Sequence, residues 1–181
     1  LACLAILAPA AVQAENASQP AYPVEMVVQA FAAPPDAADL PPGTVQILEV
    51  LITPESGWYF YSNDPGAMGQ PTRLAAKTDQ AALTVLYPPG REKRDPFGSG
   101  EMVRMYEGAT RLFVLVPKGV AGEASLRARL LLCSDVSCLP AEVSGRINIA
   151  DDASALPAAT AQAWWRDVAN ARPDAAQTEP A

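Results

Sequence analysis

The sequence contains no histidine. This absence excludes Ser-His-Asp and Cys-His nucleophilic sites, histidine-ligated zinc and acid–base catalysis by an imidazole. Positive charge is also scarce, with 13 Lys and Arg against 20 Asp and Glu, a formal net charge of −7 and a pI near 4.5. Because the chain is acidic and has neither a run of basic residues nor a glycine-rich phosphate loop, we expect no nucleic-acid partner.

Long hydrophobic runs and aromatic residues are few. Aromatic side chains make up 7% of the chain, and no segment reaches the roughly 18 consecutive apolar residues that a membrane span needs. In contrast, 18 prolines and 11 glycines interrupt the sequence, which favours many short strands over long helices. A length of 181 residues is enough for one domain with a buried core, and we expect it to be monomeric.

The first 14 residues indicate the end of a secretory signal peptide. Their apolar run ends in Val12-Gln-Ala14, which has the small-residue form of a cleavage site. A buried apolar helix is the alternative, and a lipoprotein role for Cys3 is disfavoured because the apolar run continues beyond it. We therefore expect cleavage after about Ala14, a linker at residues 15–21 and a periplasmic protein, in a compartment where disulfides persist.

Seven alternating or apolar segments between residues 22 and 150 predict β-strands at the spacing of a sandwich. They are residues 22–30, 44–53, 57–61, 82–87, 111–116, 125–132 and 141–149. Residues 34–42 and 88–100 are expected to be loops, and residues 62–66 a turn. A helical period over residues 156–170 predicts that residues 151–181 form a short helix and a disordered tail. The predicted fold class is all-β, an antiparallel β-sandwich with a short C-terminal helix.

Cys133 and Cys138 are the only cysteines outside the predicted signal peptide. They flank a short polar segment between two alternating strands, which is a hairpin pattern that brings both thiols close together and near solvent. A disulfide there would close a small ring and stabilise the fold by only about 2 kcal/mol as a staple. A bond across adjacent strands is also often strained and easily reduced, which favours a redox role. On these residues alone both interpretations stay open.

Metal binding is a further alternative. Two thiolates without histidine leave zinc short of ligands, but Met102 and Met105 with Cys133 and Cys138 would suit Cu(I). The methionines are more often gap-fillers in a core. A binding module whose disulfide is purely structural is the remaining hypothesis. No segment of the sequence indicates an organic cofactor.

Four segments in a fixed order resemble the N-terminal periplasmic domain of the thiol:disulfide interchange protein DsbD family and its stand-alone relatives. They are Gly57-Trp-Tyr-Phe-Tyr-Ser-Asn-Asp-Pro-Gly66 with Gly69-Gln-Pro-Thr-Arg-Leu74; Tyr87-Pro-Pro-Gly-Arg-Glu92; Asp95-Pro-Phe-Gly98 leading through Met105-Tyr-Glu-Gly108 to Leu112-Phe-Val-Leu-Val116; and the hairpin from Cys133 to Pro140. The resemblance covers about residues 22–150 and implies an immunoglobulin-like β-sandwich.

The resemblance also implies an activity, thiol–disulfide exchange of the protein-disulfide-reductase kind, with a link to cytochrome c biogenesis. In that family the cysteines matching Cys133 and Cys138 receive electrons from a thioredoxin-like domain fed by a membrane-embedded thiol reductase. They then reduce oxidised periplasmic proteins without a cofactor. The resemblance favours Cys138 as the attacking cysteine.

Asp95 and Phe97 match a family loop whose acidic and aromatic side chains cap the cysteines. This sequence has Pro96 and Gly98 where the best-known version has further acidic and tyrosine residues. Phe97 is expected to exclude water and stray oxidants from the sulfurs. Asp95 and Asp135 are expected to raise the pKa of a nearby thiol by like-charge repulsion, which keeps the thiol unreactive until a partner docks.

Overall fold

The computed structural model describes residues 22–96 and 100–174. The strands are β1 (Val24–Ala32), β2 (Thr44–Pro54), β3 (Tyr59–Gly66), β4 (Arg73–Lys77), β5 (Thr84–Tyr87), β6 (Arg91–Arg94), β7 (Met102–Glu107), β8 (Thr110–Pro117), β9 (Gly122–Cys133), β10 (Cys138–Ile149) and β11 (Arg172–Pro173). They form two antiparallel sheets, β1-β2-β8-β5-β11 and β10-β9-β3-β7-β6, and β4 also pairs with β9. The predicted all-β, immunoglobulin-like sandwich is confirmed. In these residues no helix is long and apolar enough to cross a membrane.

The core lies between the two sheets, because alternate residues of each strand point to one face. Phe60 of β3 is fully buried there and meets Tyr106 of β7 edge to face, with ring centroids 5.3 Å apart. The inward residues of the longest strands fill the rest of this layer: Leu48, Val50, Ile52, Leu112, Val114, Val116, Leu126, Ala128, Leu130 and Leu132. Burial of each large aliphatic side chain contributes about 1.5–3 kcal/mol, so this layer fixes which face of β9 and β3 points outward.

Four strands were not predicted from the sequence. The expected loop at residues 88–100 contains β6, β4 and β7 lie in segments that were left unassigned, and β11, which pairs with β5, lies in the segment expected to be a disordered tail. The expected turn at residues 62–66 belongs to β3. All four residues of β6 are charged and exposed. An edge strand of this kind has no apolar alternation, which is the signal that sequence interpretation depends on.

The C-terminal segment covers the outer face of the first sheet. Its helix α1 (Trp165–Val168) is a single turn, preceded by two short 3₁₀ turns. The predicted continuous helical period over residues 156–170 is wrong in extent, because Leu156 and Gln162 adopt extended backbone angles and end those turns. Trp164 nevertheless packs on Phe31 and Phe113, with ring centroids 5.1 Å away in each case. The predicted signal peptide, the linker and residues 175–181 lie outside the described residues.

Strands β9 and β10 form a hairpin with twelve register pairs, beginning at Cys133 and Cys138 next to the turn. The Cα atoms of this first pair are 4.0 Å apart, a distance typical of a non-hydrogen-bonded pair in an antiparallel ladder. The backbone of Cys138 therefore faces away from β9. Pro140, two residues further on, has the same orientation, so the free edge of β10 lacks an N–H donor at that point.

Candidate functional site

Cys133 and Cys138 form a disulfide across the end of the β9–β10 hairpin. The turn between them is held by its own hydrogen bonds: the Ser134 backbone N–H donates to the Ser137 carbonyl (2.8 Å), and the Ser134 hydroxyl accepts from the backbone N–H of Ser137 (3.3 Å). Val136 at the tip is 88% exposed. The prediction that the hairpin brings the two cysteines into bonding distance is confirmed.

The two cysteines differ in access to solvent. The prediction that both thiols lie near solvent holds for Cys138, which is exposed, and is wrong for Cys133, which is completely buried. A thiolate approaching from solvent therefore meets Cys138 first. Because thiol–disulfide exchange proceeds by attack on an accessible sulfur, the pair has one sulfur suited to forming a mixed disulfide and one that is shielded from it.

Two tyrosines of β3 lie on the same outer face as the disulfide. Tyr59 is the cross-strand partner of Cys133, and Tyr59, Tyr61, Met105 and Cys133 pack in one cluster outside the main core. This orientation follows from Phe60, which points into the core and so turns its two neighbours outward. The tyrosine rings meet edge to face with centroids 6.2 Å apart.

The position of Tyr61 is fixed by the segment that follows β3. Gly69 has a φ of +93°, and a Cβ atom there would lie 2.5 Å from the Tyr61 ring. Only glycine combines that backbone angle with such a close approach. Thr72 completes the arrangement, because its hydroxyl donates to the Tyr61 carbonyl at 2.6 Å. The Gly69-Gln-Pro-Thr segment thus supports the site rather than lying apart from it.

Asp95 contacts this tyrosine cluster. It is buried, its carboxylate accepts a hydrogen bond from the Tyr61 hydroxyl at 3.4 Å, and its backbone N–H donates to the Glu101 carbonyl at 2.8 Å. The structure therefore connects Asp95 to the disulfide cluster through Tyr61. Phe97, the other predicted cap residue, lies outside the described residues.

Burial raises the pKa of Tyr59 above its ordinary value. The charge that Tyr61 carries when it ionises, followed by the charges of Asp95 and Asp135, raises that pKa further. Burial is also the main reason that the pKa of Tyr61 is raised. The charge of Asp95 and its hydrogen bond with Tyr61 raise that pKa further. Both phenols are consequently protonated hydrogen-bond donors at neutral pH. The buried Tyr59 hydroxyl has no hydrogen-bond partner among the described residues, so its donor is unused in this structure.

The structure does not bring the proposed Cu(I) ligands together. Met105 is buried in the cluster with Cys133, but Met102 is exposed and points to the other face of β7, because three residues along a strand is an odd number. Both cysteines are engaged in the disulfide. In the described part of the chain, no group of three or more His, Cys, Asp or Glu side chains is arranged to hold a metal ion.

Sequence interpretation placed residues 57–61 in a strand but did not name Tyr59 and Tyr61 as site residues. A signal was present in the alternation of Tyr59, Phe60 and Tyr61, since placing Phe60 in the core forces both tyrosines outward. Their proximity to Cys133 depends on the pairing of β3 with β9, two strands that are far apart in sequence.

These features define a class of protein: an immunoglobulin-like β-sandwich with a half-exposed disulfide on the outer face of one sheet. Within that class, the sequence profile of the thiol:disulfide interchange protein DsbD N-terminal domain matches residues 26–145, a range that contains both cysteines. The chain belongs to this family. Among curated proteins, no significant sequence match is found.

Three solved structures are similar to the chain. The N-terminal periplasmic domain of ScsB from Proteus mirabilis has 15% sequence identity and a TM-score of 0.48, over 78% of this chain and 50% of that one. The chain thus spans half the length of the ScsB domain. The reduced DsbD N-terminal domain of Neisseria meningitidis has 21% identity and a TM-score of 0.43, over 67% of this chain and 84% of that one. A complex of the DsbD and PilB N-terminal domains of the same organism has 16% identity and a TM-score of 0.45, over 67% and 81%.

Proposed function

We propose that residues 22–150 are a thiol–disulfide exchange module that passes reducing equivalents through Cys133 and Cys138. The observation that carries the proposal is the unequal burial of the two sulfur-bearing residues, exposed Cys138 and buried Cys133, in a chain of the DsbD N-terminal family. A staple needs no exposed sulfur, whereas an exchange module needs one that a partner can reach.

The chemistry is a sequence of two in-line displacements. A thiolate of the donor attacks the Cys138 sulfur, the bond to Cys133 breaks, and the Cys133 sulfur leaves with the electron pair as a thiolate. The second thiolate of the donor then attacks the donor's first sulfur in the mixed disulfide, and Cys138 leaves as a thiolate. The donor dithiol is oxidised and the pair is reduced by two electrons. With an oxidised acceptor the roles reverse: the Cys138 thiolate attacks and Cys133 resolves.

The surrounding side chains have distinct roles in this proposal. The Tyr59 hydroxyl donates a hydrogen bond to the departing Cys133 thiolate, which favours its charged form. Asp95 and Asp135 oppose that charge and keep the reduced thiols protonated until a partner displaces water from the site. The family resemblance extends this proposal to Phe97, which lies outside the described residues, as a residue that excludes stray oxidants. Support for the carboxylate roles comes from the effect of both carboxylates on the pKa of Tyr59.

The partners are proposed from family membership. The donor is a thioredoxin-like domain or a membrane-embedded thiol reductase, the acceptors are oxidised periplasmic proteins, and the module works as a monomer in the periplasm after removal of residues 1–14. The complex between the DsbD and PilB N-terminal domains of Neisseria meningitidis shows that a DsbD N-terminal domain forms a complex with another protein domain.

Trapping tests the proposal. Cys133→Ala leaves Cys138 free to attack and should accumulate a mixed disulfide with a thioredoxin-like partner on non-reducing gels. Cys138→Ala, the matched control, leaves only the buried thiol and should trap much less. The redox equilibrium of the wild-type pair against glutathione is measured in parallel, since structural disulfides lie below about −300 mV. If neither variant traps a partner and the wild-type pair resists millimolar glutathione, the disulfide is a staple.

A further inference from the structure

A group of cationic side chains lies on the same outer face as the disulfide, along β4, β9 and β10. We propose that this group is a docking surface for an acidic face of the protein that exchanges disulfides with Cys138. The inference rests on the proposed exchange function and adds the chemistry of the partner's surface. The group, called the basic stripe here, consists of Arg73, Lys77, Arg127, Arg129 and Arg146.

Strand alternation places the basic stripe on this face. Along β9, Arg127 and Arg129 alternate with buried Ala128 and Leu130 and therefore point to the same side as Cys133. The registers of β4 and β10 on β9 place Arg73 opposite Arg129, Lys77 opposite Ser125 and Arg146 opposite Ser125 on its other side. The stripe thus begins four residues from the disulfide on one continuous sheet surface.

The stripe brings like charges together on neighbouring strands. Arg73 and Arg129 are direct cross-strand partners, and like charges in that position are destabilising. Carboxylates offset the repulsion unequally: Arg73 contacts Asp174 at 3.0 Å, whereas Glu142 contacts both Arg127 (3.3 Å) and Arg129 (2.8 Å), so one carboxylate serves two guanidinium groups. The positive charge of Arg127 and Arg129 is therefore only partly neutralised within the protein.

The charge balance of the stripe is opposite to that of the protein. Four of its five cations, all except Lys77, contact three carboxylates, those of Glu142, Glu123 and Asp174; five positive and three negative charges leave a surplus of two positive charges. The whole chain has a formal net charge of −7. Arg127, Arg129 and Arg146 keep 58%, 66% and 71% of their side-chain surface exposed despite these contacts. An acidic surface is therefore attracted to this face and repelled by the molecule as a whole.

The end of the stripe nearest the disulfide lies within reach of a partner docked on Cys138. Four residues of β9 separate Arg129 from Cys133, which is about 13 Å at 3.3 Å per residue. A typical interface covers about 800 Å² per partner, equivalent to a disc of roughly 16 Å radius. Arg129 and Arg73 fall inside that radius. Arg127, six residues from Cys133 and so about 20 Å away, lies just outside it, and Lys77 and Arg146, both opposite Ser125, lie about 26 Å away. Charges at a rim act mainly on the association rate and its salt dependence. Because this end of the stripe lies near the exchange site, a membrane bound to the stripe would bury that site. A protein is therefore the favoured occupant.

The test uses the full chain in its oxidised form and a reduced thioredoxin of net negative charge. Two net-negative proteins should react faster as salt screens their repulsion. The basic stripe predicts the reverse, a second-order rate constant for reduction of the Cys133–Cys138 bond that falls at least about threefold between low and 0.5 M salt. Arg127→Gln with Arg129→Gln should abolish that decrease, and Glu142→Gln should steepen it. Dithiothreitol, whose thiolate is too small to contact the stripe while it attacks Cys138, should reduce all variants at about the same rate.

Lys118→Gln with Arg166→Gln is the matched control, because it removes the same charge from exposed positions away from this face. The control should keep the wild-type salt dependence. If it changes the rate as much as the stripe variant does, only net charge matters and the inference fails while exchange stands. Tight binding of the wild type, but not of the stripe variant, to phosphatidylglycerol vesicles with no change in thioredoxin kinetics would assign the stripe to a membrane and overturn the proposal. If thioredoxin and dithiothreitol both fail to reduce the bond, the exchange function itself is refuted.

Discussion

Reduction of the Cys133–Cys138 bond should leave the domain folded. The bond joins residues five apart in sequence, so it removes little freedom from the unfolded chain, and the loop-closure relation gives about 2 kcal/mol. The hairpin that carries the bond has twelve register pairs of its own and buries Leu126, Leu130 and Leu132 in the core. Its register therefore does not depend on the cross-link.

The assay is urea denaturation followed by tryptophan fluorescence, with and without a phosphine reductant. Reduction is preferred to substitution because Cys133 is completely buried and an alanine there would add a cavity cost of its own. A loss of about 2 kcal/mol corresponds to a decrease in melting temperature of about 4–8 °C for a domain of this size. The slope of the unfolding free energy against urea concentration should be the same for the oxidised and the reduced protein, because both expose nearly the same surface area on unfolding.

Two results would refute this reasoning. Unfolding on reduction, or a loss well above 4 kcal/mol, would mean that the bond holds the hairpin together and that the module cannot alternate between redox states while folded. A loss below about 0.5 kcal/mol would mean that the unfolded chain already keeps the two cysteines close, which contradicts the entropy argument.

Three further predictions concern the site and the C-terminal segment. Tyr59→Phe should slow reduction of the disulfide by dithiothreitol, followed by stopped-flow fluorescence, and change stability by less than about 1 kcal/mol; an unchanged rate would exclude a role for the hydroxyl. Above pH 10 the free energy of unfolding should fall with pH, because the folded state keeps Tyr59 and Tyr61 protonated while the unfolded chain ionises. The variant with phenylalanine at both positions should show a shallower decline, and an identical profile would contradict the assignment. Trp164→Ala should cost about 3–5 kcal/mol in urea denaturation, since the ring packs on Phe31 and Phe113; a loss below 1 kcal/mol would show that the segment is not docked.

The strands that could be predicted from the sequence are those that face the core. Segments such as β2 and β9 alternate or run apolar because each contributes a row of side chains to the layer between the sheets. Strand β6 has four charged, exposed residues, so no burial pattern reveals it. The end of β3 contains Pro65 and Gly66, which are turn signals in isolation. Here the two residues belong to the strand, because its pairing with β7 is irregular between Tyr61 and Gly66.

The candidate site was half predictable. Cys133 and Cys138 are close in sequence and share a hairpin, so local pattern alone brings them together. The tyrosines beside them depend on a long-range pairing of β3 with β9, which no local pattern specifies. The period at residues 156–170 wrongly predicted one continuous helix, again because long-range contacts decide the structure of this segment. Trp164 and Val168 are buried against the first sheet, and tertiary packing, rather than a continuous helix, decides their spacing.

The proline on the free edge of β10 has a consequence for how long a complex lasts. A sheet edge beside an exchange site invites another chain to add a full strand, and such a ladder would tie the two proteins together for far longer than one electron-pair transfer requires. Pro140 interrupts the row of backbone N–H donors two residues beyond Cys138, so the strand of a partner cannot form a continuous hydrogen-bond ladder along this edge. A partner at this edge is therefore held mainly by side-chain contacts, and the two proteins can dissociate once the disulfide exchange is complete.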